Sequence, residues 1–146
     1  VYSNIPLDER YKIELDQLGA KKHIIMDLGT EEFTTGRPHP MIDGRWRSEL
    51  ITQTGYNKNV SVVLLDIILG FGANDNPAGA IVESIRLAQK IAQKDNRKLI
   101  FIASIIGTEQ DPQGYSQQYD ILQTANVKIA EHNEMAVQMA IRCLTE

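Results

Sequence analysis

Residues 60–69, Val-Ser-Val-Val-Leu-Leu-Asp-Ile-Ile-Leu, decide the fold. They are mostly β-branched or leucine, and apolar and polar positions do not alternate. A strand wet on one face alternates with period two, whereas an unbroken apolar strand is covered on both faces, as in parallel sheets. Gly70-Phe71-Gly72-Ala73-Asn74-Asp75-Asn76 follows as a tight loop. Pro77 then suits the first position of a helix, and Asn76 its cap. From Ala78 to Lys94, Ile81, Val82, Ile85, Ala88, Ile91 and Ala92 recur at spacings of three and four, which gives one buried stripe.

The same alternation continues outward in both directions. Residues 23–28, His-Ile-Ile-Met-Asp-Leu, read as a strand ended by Gly29, and 99–103, Leu-Ile-Phe-Ile-Ala, as another buried strand. Residues 105–114 form a loop, 115–123 a helix, 127–130 a fourth strand and 134–144 a last helix with Met135, Met139 and Cys143 aligned. Between the first two strands lie a long loop, 30–44, and a helix, 45–54, with Gly55 as its stop. Residues 1–22 read as a linker or lead-in from a preceding domain, with a short helix around Glu9 to Leu18; residues 23–146 form the domain itself. Buried strands joined by helices run parallel with right-handed crossovers. The expectation is an α/β doubly wound parallel sheet of at least four strands in three layers, with ligands at the carboxyl ends of the strands.

Composition narrows the function. Fifteen Lys plus Arg against nineteen Asp plus Glu give a formal charge of −4, which argues against a general nucleic-acid binder. One cysteine, Cys143, excludes an internal disulfide and fits a reducing, cytoplasmic compartment. No apolar run approaches the ~20 residues needed to cross a bilayer, so no membrane role is expected. The chain starts at Val1, without an initiator Met or a signal-like block, and reads as a piece of a longer protein.

Three loops fall at the carboxyl edge of the expected sheet. Glycines at 70 and 72 let an anion approach backbone amides ahead of a helix, whose dipole favours negative charge. The same residues equally describe a plain strand-to-helix turn that needs glycine for its geometry. Asp75 stands where a dinucleotide fingerprint requires a third glycine, so a dinucleotide site is not expected. In the loop opened by Gly29 and Thr30, Arg37 offers a planar fork for carboxylate or phosphate. His39, bracketed by Pro38 and Pro40, is a natural proton carrier, although Pro-His-Pro also describes a plain rigid surface turn. After the third strand, Gly107 and Thr108 offer an amide and a hydroxyl, although a capped turn explains them as well. His23 and His132 lack ligand-spaced partners, so no metal site is assigned.

Taken together, these motifs resemble one family. Residues 60–85, VSVVLLDIILGFGANDNPAGAIVESI, look like the CoA-ligase domain of succinyl-CoA synthetase, and so does LIFIASIIGTEQDPQGYSQQYDILQTANVKIA from Leu99 to Ala130. HIIMDLGTEEFTTGRPHPMID, from His23 to Asp43, is similar to the FdrA branch of acyl-CoA-synthetase-like proteins. The likeness spans nearly the whole chain. It implies a flavodoxin-like CoA-ligase domain within a longer protein, working beside other domains that hold most of the coenzyme A and nucleotide. The matching synthetase domain has one further strand earlier in the chain; without it a sheet edge is exposed, and a homo-oligomer, a dimer or larger, is expected. The likeness also implies that Gly70, Phe71, Gly72, Ala73 and Asn74 lend a phosphate site at a helix N-terminus to acyl or phosphoryl transfer on a small carboxylate. On that reading Arg37 and His39 are the catalytic candidates, and Gly29, Thr30, Gly107 and Thr108 contact substrate. The phosphohistidine of the synthetases belongs to another domain, so His39 is not assigned that role. The adjacent glycines of the synthetase loop are split here as Gly70 and Gly72, and Gly44 replaces the proline usual after the FdrA "MID". A carbamoyltransferase component of purine or allantoin catabolism, or a non-catalytic interaction domain that keeps the fold, are the alternatives.

Overall fold

The computed structural model describes residues 1–14, 23–36 and 38–145. The chain divides into two compact units, Val1–Pro40 and Met41–Glu146, each described here by itself. In the second unit, β3 (Val62–Ile68), β4 (Ile100–Ile106) and β5 (Lys128–Ala130) form one sheet in that order. All pairs are parallel, with Leu64 opposite Ile102 and Ile102 opposite Lys128. The helices are α2 (Arg45–Tyr56), α3 (Gly79–Lys94), α4 (Tyr115–Gln123) and α5 (Asn133–Thr145). The expected α/β three-layer parallel fold is therefore the observed one, but among the described residues this sheet has three strands where at least four were expected.

The two faces of the sheet have separate cores. Leu65, Ile67, Leu69, Phe101, Ala103 and Ile105 are buried with Ile81, Ile85, Ala88 and Ala92 of α3, Ile51 of α2 and Leu122 of α4. Ile102 and Ala130 are buried on the other face with Ala136 and Ala140 of α5, and Met135, Met139 and Cys143 pack around them. The aligned methionines and cysteine of the last helix are thus packing residues. The stripe on α3 has the helical spacing that lets one face meet the sheet and the opposite one meet water.

Strand β3 departs from the sequence expectation on one side. Its α3 face is buried, but Leu64, on the α5 face, is 44% exposed. The hydrogen bonds at the ends of β3 give its orientation: Ser61 O accepts from Ile100 and Leu69 N donates to Ile106 O. Odd-numbered residues therefore address β4, and even-numbered ones point their N–H and C=O to the outer side of this edge strand. The Arg47 guanidinium donates to one of these groups, the Asp66 carbonyl, at 2.6 Å. Burial lowers the pKa of Arg47, and the charge of Asp66 opposes that shift.

Several element boundaries also differ. Gly55 does not stop α2 but lies buried inside it, because it is the contact point with α3. Ser48 Oγ donates to Ala80 O at 2.9 Å near the start of both helices, so α2 and α3 run side by side in the same direction. Strand β4 continues through Ile106, three residues further than expected, since Ser104 and Ile105 pair with β3.

In the first unit, β1 (Tyr2–Ser3) pairs in parallel with β2 (Ile24–Ile25), so part of the lead-in is strand. The 23–28 strand is accordingly short and belongs to a two-stranded sheet, not to that of β3. Within the long loop, α1 (Glu31–Thr34) makes one helical turn that buries Phe33. Glu9–Tyr11 forms a 3-10 turn capped by Asp8, and the chain is extended at Lys12, so the helix expected there to Leu18 does not continue through 12–14; residues 15–18 lie outside the described residues.

Candidate functional site

The loop after β3 is fixed from across the sheet. Gln113 is 3% exposed, and its carboxamide makes three bonds to that loop. Its Oε1 accepts from the Gly70 amide at 3.0 Å, and its Nε2 donates to Gly70 O at 2.9 Å and Asn74 O at 3.1 Å. Gln118, fully buried on α4, accepts from the Ala78 amide at 3.0 Å and donates to Gln113 O at 3.1 Å. Gly70 has φ +132° and Gly72 φ +82°, so both glycines are needed for the path of the chain. The loops 70–76 and 107–114 are thereby brought together, as the topology of a parallel sheet suggested.

The donors in this loop are mostly committed. Asn76 Oδ1 accepts from Gly79 N, and Asn76 O from Ala80 N, so Asn76 satisfies the first amides of α3, although the helix begins at Gly79, two residues after the Pro77 start expected. Asn74 N donates to Met41 O, Asn76 N to Asn74 Oδ1, and Ala73 N to Gly70 O. Among the described residues, the amides left open from Gly70 to Ala80 are those of Phe71, Gly72 and Asp75. Phe71 itself is 93% exposed. The open donors therefore sit at the tip of the loop, while the first helical amides are already satisfied by protein oxygens.

The loop after β4 is similarly self-contained. Thr108 donates both its amide (2.6 Å) and its hydroxyl (3.2 Å) to the Asp111 carboxylate. Gly107, at φ +153°, lies where a Cβ would come 2.5 Å from Leu69 Cβ, so only glycine lets the loop pass. Glu109 Oε2 accepts from the Ser116 amide at 2.8 Å, a cap on α4 that holds its carboxyl below the usual range. Asp66, near the end of β3, accepts from Ser104 Oγ at 2.5 Å and Asn133 Nδ2 at 3.0 Å, a structural pairing. His132 Nδ1 accepts from Met135 N and caps α5.

In the first unit, Gly29 and His39 come together. A Cβ on Gly29 would stand 2.6 Å from His39 Nε2, so the imidazole lies against the bare glycine. Asn4 clamps the exit of β2: Asp27 N donates to Asn4 Oδ1 at 2.9 Å, and Asn4 Nδ2 donates to Asp27 O at 2.8 Å. The same Nδ2 reaches Thr30 Oγ1 at 3.3 Å, and Gly29 N donates to Asp27 Oδ1. Arg37 lies outside the described residues.

An open cleft of about 480 Å³ adjoins Asn74, lined by Asp43, Arg45, Ser48 and Glu49. The Arg45 guanidinium forks onto Asp43 at 2.5 Å and holds that carboxyl below its usual range. With two carboxylates and its one guanidinium already paired, this cleft does not suit the phosphates of coenzyme A or a nucleotide. Among the described residues no three His, Cys, Asp or Glu side chains converge for a metal, and no helix is long and apolar enough to cross a membrane.

Sequence reasoning missed Gln113, Gln118 and Asn4. Gln118 carried a signal, because it shares a helix face with Leu122, and a polar residue on a buried stripe needs partners. Gln113 and Asn4 carried none, since their partners lie 43 and 23 residues away.

The sequence model of the CoA-ligase family matches residues 9–143. The chain is also 37% identical over 130 residues to the uncharacterized protein YahF of Escherichia coli (strain K12), an alignment covering 89% of this chain. It spans 25% of the length of that curated relative. A parallel three-stranded sheet with helices on both faces, glycine loops at its carboxyl edge and a match over nearly the whole length lead to one assignment: the chain belongs to the CoA-ligase family.

Proposed function

We propose that this chain is the CoA-ligase-like domain of an FdrA-type acyl-CoA synthetase, and that its Gly70–Asn76 loop contacts the transferred phosphoryl group or a small carboxylate. The observation that carries this reading is the pair of consecutive open amides, Phe71 and Gly72, on a loop otherwise held rigid by Gln113. Two amides can donate to two oxygens of one carboxylate or terminal phosphoryl group, which is too few for a diphosphate cradle. Coenzyme A and nucleotide are accordingly assigned to other domains of a longer protein. Within the first unit, His39 against Gly29 is a proton donor or anion ligand in this reading.

A second reading is a non-catalytic interaction domain that keeps the fold. It is favoured by the capping of Ala78, Gly79 and Ala80 by Gln118 and Asn76, which leaves the α3 terminus without the open donors of a phosphate site. A carbamoyl-transfer role would differ from acyl transfer in its ligand alone.

Titration of the chain with inorganic phosphate, acetate, carbamoyl phosphate, ADP and coenzyme A, followed by amide NMR, separates these readings. Acyl or phosphoryl transfer requires shifts at Phe71 and Gly72 with phosphate or acetate. Stronger shifts with carbamoyl phosphate than with either indicate carbamoyl transfer. No shift in this loop with any of the five sinks the enzyme reading and leaves the interaction domain.

A further inference from the structure

We infer that Gln113 is the positioning residue of the Gly70–Asn76 loop: it holds the loop in the one conformation that presents the Phe71 and Gly72 amides. This rests on the reading of that loop as an anion contact, and extends it to a residue that touches no ligand.

Every bond of the Gln113 side chain goes to the loop, on both sides of the open amides: Gly70 N and O before them, Asn74 O after them. The carboxamide is the side-chain copy of a peptide group, with one acceptor and a donor side by side. It therefore takes the place of a strand partner for Gly70, which lies beyond the last rung of β3 with β4, Ile68 opposite Ile106. Gln118 fixes Gln113 in turn through its backbone carbonyl. A turn that merely joined strand to helix could leave these groups to water, yet Gln113 is almost wholly buried. With φ positive at both Gly70 and Gly72, the loop has no conformational preference of its own to hold it there.

Two variants test this by opposite chemistry. Gln113→Leu keeps the bulk and removes donor and acceptor together. Gln113→Glu keeps the acceptor for Gly70 N but, when ionised, sets an oxygen against the Gly70 and Asn74 carbonyls; protonation restores one donor. Burial and those carbonyls raise the pKa of such a carboxyl. The clamp in Gln113→Glu must therefore open at neutral pH and close on acidification. The carboxylates already on the two loops, Asp75, Glu109 and Asp111, are common to the parent chain, whose own titration is the control.

The readouts are hydrogen exchange at the Gly70 amide and sulfate-induced shifts at Phe71 and Gly72, sulfate being a dianion over the whole pH range used. In Gln113→Leu, Gly70 exchange should rise roughly tenfold or more while amides of β4 keep their protection. Sulfate affinity should fall by a similar factor. In Gln113→Glu both effects should appear at neutral pH and recede towards about pH 4. Unchanged Gly70 exchange in Gln113→Leu, or a Gln113→Glu profile that follows the parent at every pH, overturns the inference. Should Gln113→Leu fail to fold, the pH profile of Gln113→Glu decides alone. If the parent chain shows no sulfate shift at all, the anion reading falls, and Gly70 exchange still judges the clamp.

Discussion

Replacing Gly55 by alanine sets two effects of known size against each other. In the middle of an exposed helix, glycine to alanine gains about 1 kcal/mol from helix propensity. Gly55, however, is where α2 meets α3. A Cβ there would stand 2.7 Å from Ala88 O, 2.8 Å from its Cα and 3.1 Å from its carbonyl carbon. All three are backbone atoms, so no side chain can swing aside. Restoring an ordinary contact of about 3.5 Å requires the helices to part by roughly 0.7 Å, which forfeits a quarter or more of the dispersion energy along the seam. Overpacking of this kind costs about 1–3 kcal/mol and sometimes more. The seam also includes the Arg97 guanidinium, which bonds Gly55 O and the carbonyls of Asn57 and Val60. Because all three contacts are to backbone, the cost falls at the upper end of that range, about 2–3 kcal/mol; packing should win, and Gly55→Ala should destabilise the second unit by about 1–2 kcal/mol, a fall in Tm of roughly 4–9 °C. Urea unfolding followed by the fluorescence of Trp46, which sits on α2 and is the only tryptophan, reads that unit directly. A variant as stable as the parent, with an unchanged urea dependence, would show that the helices do not meet through this glycine.

Gln118→Leu should cost about 2–4 kcal/mol, because it orphans the buried Ala78 amide and the Gln113 carbonyl at about 1–3 kcal/mol each, offset by added apolar burial; a loss below about 0.5 kcal/mol in urea unfolding would contradict the bonding. Glu109→Gln should lower the midpoint at neutral pH and match the parent in acid. The Ser116 amide lowers the folded pKa of Glu109, so its contribution is present above the unfolded value of ~4.3 and is lost as pH falls through the folded one. A gap between the two proteins that widens on acidification would reverse that sign. We expect the chain to self-associate through the outer side of β3, and Leu64→Lys to lower its mass in light scattering, since an edge lysine deters strand pairing. A monomeric parent at high concentration would refute this.

The elements were legible where burial imposes a period. The α3 stripe, the apolar runs of β3 and β4 and the spacing along α5 all follow from one face or two being removed from water. What failed to show was whatever depends on contacts distant in sequence. Gly55 reads as a helix stop because glycine usually is one, and only Ala88, across the seam, explains why it sits inside α2. Ile105 and Ile106 read as loop because the glycine after them is conspicuous, yet pairing with β3 keeps them in the strand. The candidate site divides the same way. Glycines at 70 and 72 were visible as backbone needs, and both have a positive φ; the positive φ of Gly107, read as an amide donor or part of a capped turn, was not foreseen. The commitment of the Thr108 amide and hydroxyl to Asp111 was not visible, because either partner could equally have faced a ligand.

One device recurs at the exits of two strands in the two separate units. Asn4 exchanges both bonds with the N–H and C=O of Asp27 after β2, and Gln113 does the same with Gly70 after β3. In both places the chain has run past its last paired rung, where a backbone group has no strand beside it and must be satisfied by something else. Water would satisfy it but leave the loop free to move. A hydroxyl lacks the paired geometry, a carboxylate lacks the donor, and an ammonium lacks the acceptor. Only asparagine or glutamine imitates a peptide group, and the choice between them is set by reach: Asn4 follows the strand that pairs with β2, whereas Gln113 must cross from the loop after β4. The clamp fixes a loop at the carboxyl edge without lengthening the sheet over it, and so leaves the next residues uncovered. At β3 those residues are Phe71 and Gly72, whose amides are the open donors on which the functional reading stands.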